Sequence, residues 1–85
     1  MGESLYKRVA IAVMTPDELA KFCETFGESD TSNFMRLRVH CCHSKRVEIE
    51  IDAKKDGFDL HVEMFEASLR DGMLREWKEY ITMTL

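Results

Sequence analysis

The stretch Phe34-Met35-Arg36-Leu37-Arg38-Val39-His40-Cys41-Cys42-His43, followed by a short turn and by Arg46-Val47-Glu48-Ile49-Glu50-Ile51-Asp52, decides the fold class. Both arms alternate apolar and polar residues, the period of strands with one buried face. The inward set is Leu37, Val39 and Cys41 on the first arm and Val47, Ile49 and Ile51 on the second. Pairing Val39 with Ile49 sets Arg38 across from Glu50, Arg36 across from Asp52, and His40 across from Glu48. Opposite charges facing each other across a strand pair contribute roughly 0.2–1 kcal/mol each. A slip by one residue would turn every apolar side chain to water. Burial and charge therefore specify the same register.

Downstream, Lys54-Lys55-Asp56-Gly57 is a turn signal, because Asp-Gly tolerates positive φ at both central positions. Phe58-Asp59-Leu60-His61-Val62-Glu63-Met64 then alternates again. With the turn at Asp56-Gly57, Lys55 pairs with Phe58, Ile51 with Val62, Ile49 with Met64, Asp52 with His61 and Glu50 with Glu63. Turn and pattern agree, and they predict a third strand and a meander in preference to one long helix over residues 59–81. The Glu50–Glu63 pair is unfavourable in that register unless Arg38 or a partner's cation offsets it.

Upstream, residues 5–14 carry Val9, Ile11 and Val13 with Ala10 and Ala12 between them, a strand covered on both sides. Thr15-Pro16-Asp17-Glu18 opens a helix: Thr15 as N-cap, Pro16 at the first turn, and Glu18 completing a capping box. Leu19, Phe22, Cys23 and Phe26 form its buried stripe, and Gly27 is placed to end it. After the meander, Ser68-x-x-Asp71 resembles the start of a second helix. Its stripe is Leu69, Met73, Trp77 and Ile81, widened by Leu74 and Tyr80, and Gly72 within it costs about 1 kcal/mol relative to alanine. Residues 82–85 alternate like a short terminal strand. The expected architecture is a single compact α+β domain over residues 1–85 in two layers. Its order is β-α-β-β-β-α, an antiparallel meander sheet with two helices packed on one face. The helix–three-strand–helix order within it is also that of double-stranded-RNA-binding domains. Those open the second helix with clustered lysines near a glycine-rich start, and Ser68-Leu69-Arg70-Asp71 offers one arginine and one aspartate.

With 85 residues, 45% of them hydrophobic and 33% charged, the chain suits one small folded domain rather than a disordered tail. A net charge of −4 provides no basic patch for nucleic acid. No apolar run approaches the ~20 residues that span a bilayer, and the apolar run of residues 9–14 is too brief for a signal-peptide core. Met1-Gly2 resembles a myristoylation start, yet Tyr6 stands where serine or threonine is required. Three cysteines, two of them adjacent, make no disulfide framework. A cytoplasmic protein is expected.

Four groups of residues could carry chemistry. His40-Cys41-Cys42-His43 has metal-ligand residue types, but consecutive strand residues point to alternate faces and cannot wrap one ion; a centre would need His40, Cys42 and His61. Cys42 near His40 and Arg46 could be an activated thiol, without a glycine-rich loop to provide an oxyanion site. The outer sheet face, with Arg36, Arg38, His40, Glu48, Glu50, Asp52, Asp59, His61 and Glu63, reads as weak surface ion pairs. It lacks the stacking aromatics of RNA-binding sheets. Phe65, Trp77 and Tyr80 are large aromatics of the kind that anchor protein interfaces. The expectation is a non-catalytic protein-interaction module, a small regulator, adaptor or inhibitor. Its partner would be another protein or a second copy in a homodimer, and its surface would use Phe65, Trp77, Tyr80, Glu50, Glu63, Arg36 and Arg38. No cofactor, metal or membrane is expected. The alternatives are a metal- or thiol-dependent domain centred on His40, Cys42 and His61, and, third, nucleic-acid binding.

Overall fold

The computed structural model describes residues 4–71, 77 and 81–83. It is an α+β domain with the order β1 (Tyr6–Met14), α1 (Pro16–Glu28), a 3-10 turn (Asp30–Asn33), β2 (Met35–His43), β3 (Arg46–Lys54), α2 (Phe58–Asp71) and β4 (Ile81–Met83). The strands form one antiparallel sheet in the order β2-β3-β1-β4.

The β2–β3 hairpin has the register expected from its sequence as far as its fifth residue: Arg36 faces Asp52, Leu37 faces Ile51, Arg38 faces Glu50, and Val39 faces Ile49. A bulge then falls between Val39 and Cys41, so Cys41, not His40, pairs with Glu48. An extra residue reverses the facing of everything beyond it. Cys41 therefore leaves the apolar face expected for it and is only partly buried, while Cys42, expected on the outer face, pairs with Val47 and is exposed.

The helix α1 begins as its sequence dictates. The Thr15 hydroxyl accepts from the Glu18 backbone N–H at 3.2 Å, and the Glu18 carboxylate accepts from the Thr15 N–H at 2.9 Å. Replacing Thr15 with alanine removes one of these bonds, and urea melts of Thr15→Ala are expected to show a loss of about 1 kcal/mol. Phe22 and Phe26 are buried, whereas Cys23 is exposed rather than part of the stripe. Gly27 does not end the helix: it lies inside α1, and the cap is Ser29, whose N–H donates to the Phe26 carbonyl.

The largest departure from expectation is residues 58–71. They form the helix α2, not a third meander strand, and Ser68 lies inside it rather than at the start of a new one. The same residues fit both periods. Phe58, Leu60, Val62 and Met64 alternate, but Phe58, Val62, Phe65 and Leu69 recur at helical spacing, and the residues of that second set are the ones that pack on the core. The sheet position beside β3 is taken by β1, which pairs along its length from Tyr6↔Lys54 to Met14↔Val47. The Asp56-Gly57 signal is spent on a strand-to-helix corner. Gly57 has φ +79°, and its carbonyl accepts the first helical bond from the His61 N–H.

Both helices serve the same face. Ala10, Ala12, Met14, Val47, Ile49, Ile51 and Ala53 of the two central strands form one core with Phe22, Phe26, Phe65, Leu69, Trp77 and Ile81. Alanines on the sheet leave room for the large rings of the helices, and Trp77 meets Phe22 edge-on at 5.7 Å. Ile81–Met83 pairs with Ala12–Ala10 of β1, so the strand-like end of the sequence enters the sheet. Met73, Leu74, Tyr80 and Gly72, assigned from sequence to a second helix, lie outside the described residues. No helix among the described residues is long and apolar enough to cross a membrane.

Candidate functional site: the open face of the sheet

The face away from the helices carries a row of charge across three strands. The β3 alternation that buries Val47, Ile49 and Ile51 necessarily turns Glu48, Glu50 and Asp52 to the other side. From β2 come Arg36 and Arg38, and from β1 comes Arg8, opposite Asp52. The bulge adds His40.

Glu50 sits at the centre. Its Oε2 is 2.8 Å from Arg8 Nη2 and 2.7 Å from His40 Nδ1, and its Oε1 is 3.8 Å from Arg38 Nε. Asp52 lies 3.3 Å from Arg36 Nε and 3.9 Å from Arg8 Nε. Arg36 also stacks its guanidinium 4.1 Å over the Tyr6 ring, a cation–π contact that helps to fix it. The carboxylates are covered by these side chains: Glu50 is 8% exposed and Asp52 is 5% exposed. Their cations are not, and Arg38 keeps 56% of its side chain in solvent.

This geometry constrains the chemistry. The hydrogen bond from His40 holds the Glu50 carboxyl below its ordinary pKa, helped by Arg8 and Arg38 against the opposing effect of burial. Such a group stays ionised and is a weak base, the reverse of the raised carboxyl that a general acid needs at neutral pH. Glu50 is thereby held as a fixed negative charge between Arg8, Arg38 and His40.

Of the residues singled out from the sequence, Arg36, Arg38 and Glu50 are brought together on the open face. Glu63 is not: it is exposed on α2, and the expected Glu50–Glu63 clash does not arise, because β1 rather than a third meander strand lies beside β3. Phe65 is 0% exposed and Trp77 is buried in the core, so neither aromatic is available to a partner of the folded chain. Tyr80 lies outside the described residues. The residues of the alternative metal or thiol centre are set apart from one another. His40 binds Glu50 on the open face, Cys42 sits beyond the bulge, and His61 is on α2, stacked on Phe34 at 4.6 Å with Nδ1 3.2 Å from the Lys54 carbonyl. Among the described residues no group of three or more potential ligands is placed to hold a metal ion.

Two features escaped sequence reasoning. Arg8 was hidden because residues 5–14 read as a strand covered on both sides; its signal was the pair Lys7-Arg8 at the start of that run. Cys41 Sγ lies 3.1 Å from His43 Nε2, since residues two apart share a strand face, and the bulge turns that face to the side of Glu48. Cys23 is no better placed for thiol chemistry, since desolvation pushes its thiol above the usual value. Comparison of the chain with protein families, with curated proteins and with solved structures finds no match.

Proposed function

We propose that this domain is a non-catalytic protein-interaction module, a small regulator, adaptor or inhibitor that recognises another protein through the β2 side of the sheet. The observation that carries the reading is the asymmetry of the open face. Its two central carboxylates, Glu50 and Asp52, are buried and already bonded, while Arg8, Arg36 and Arg38 remain about half in solvent on the strands. Arginine held in this way is a favoured residue of protein interfaces. Val39 adds apolar surface on the same strand, 62% exposed where an inward residue was expected.

The test is association of the full chain in an extract of its own host. Cross-linking followed by reconstitution from purified components should give a saturable complex of defined stoichiometry, weakened by Arg38→Gln. A chain that stays monomeric at every salt concentration, with no reconstituted partner, would overturn the reading.

A further inference from the structure

One edge of the sheet dictates the chemistry of such a partner, an inference that rests on the protein-interaction reading. β2 is an edge strand, and among the described residues no strand pairs with its outer side. Met35 to Val39 run in unbroken register with β3 before the bulge at His40. Five residues therefore offer a regular ladder of unpaired backbone groups, the template used in strand addition.

Both faces of this edge are marked. Leu37 and Val39 lie on the helix side, and Arg36, Arg38 and His40 lie on the open side. The chain's own answer to that pattern is β3, which sets Ile51 and Ile49 against the apolar pair and Asp52 and Glu50 against the arginines. Those two carboxylates are shared with Arg8, whose contact with Glu50 is a full angstrom shorter than that of Arg38. Three arginines thus divide two carboxylates, and the cation left least satisfied is on the open edge.

The same pattern argues against a second copy. Every antiparallel self-pairing that keeps apolar residues on one face sets Arg36 or Arg38 across from Arg36, Arg38 or His40. Like charges directly opposite are destabilising. A homodimer, the other partner expected from the sequence, is therefore not favoured at this edge.

We propose that the outer edge of β2 takes an extended segment of another protein in antiparallel register, with acidic residues alternating with β-branched or other apolar ones, a strand of the β3 type.

The probe is a fluorescein-labelled peptide copying residues 46–54, titrated into the full chain and followed by anisotropy and by amide shifts in NMR. Saturable binding is expected, with the largest shifts at Met35 to Val39. Affinity should fall at least tenfold for a peptide with Gln or Asn at its three acidic positions, and severalfold for Arg38→Gln. A peptide N-methylated at alternate amides, which keeps the charge but cannot complete a ladder, should not bind. Absence of saturation, shifts centred on α2, exchange of the peptide for β3, equal binding of the N-methylated peptide, self-association that competes with the peptide, or tighter binding of a nucleic-acid oligomer would each overturn the proposal. If the peptide fails while a reconstituted partner still binds, the edge assignment falls and the interaction reading stands. If both fail, both fall.

Discussion

Phe65→Ala is expected to destabilise the domain by about 3–5 kcal/mol, the cost of deleting a fully buried aromatic ring. Phe65 is the point at which α2 closes on the sheet: it is completely buried in the core formed by the two central strands and α1. Its neighbours on that core, Leu69 one turn on and Val62 one turn back, cannot move into the space without unseating the helix. A small domain has a total stability of only about 5–15 kcal/mol, so the variant should lose a large share of its cooperative transition. Urea unfolding followed by far-ultraviolet circular dichroism reads this directly. A midpoint within error of the wild type would mean that Phe65 is not in the core. That result would restore the alternative in which residues 58–64 form a strand and Phe65 serves an interface.

The second large effect concerns Glu50. Glu50→Gln keeps the shape but removes the charge that Arg8, Arg38 and His40 surround. At neutral pH a loss of about 1.5–3 kcal/mol is expected, the range for hydrogen bonds to charged groups, with the lower half favoured because the arginines are partly solvated. The pH dependence gives a sharper reading. The carboxyl is held below its ordinary pKa in the folded chain, so it binds a proton less readily there than when unfolded. Its contribution is therefore complete above the unfolded value, about 4.3, and is lost as pH falls through the lower folded value. The gap between wild type and Glu50→Gln should be full at pH 7 and narrow steadily in acid below about pH 4. A gap that did not change with pH would show that the hydrogen-bonded charge is not what Glu50 contributes.

Both predictions depend on knowing which elements meet, and the sequence reaches that knowledge unevenly. The β2–β3 register was legible because two independent local constraints, apolar alternation and opposite charge, select the same alignment. The start of α1 was legible because a capping box is complete within four residues. The bulge at His40 was not, because nothing in His40-Cys41-Cys42-His43 distinguishes an extra residue from a paired one. The consequence was large: it moved Cys41 out of the core and brought His40 to Glu50 instead of Glu48.

By itself, then, the chain's sequence determined the α+β class, the capped helix, the charged hairpin and the two carboxylates on its outer face. Only the tertiary structure decided which strand lies on the second edge of β3, and with it whether residues 58–71 are strand or helix. Phe58 to Met64 satisfies a period of two, and Phe58, Val62, Phe65 and Leu69 satisfy 3.6. The choice belongs to competition for one sheet edge, which β1 takes along its whole length. That competition is between segments some forty residues apart, and local pattern carries no information about which of them wins. Its outcome placed Arg8 beside Glu50, buried Phe65 and Trp77, and left β2 at an edge of the sheet.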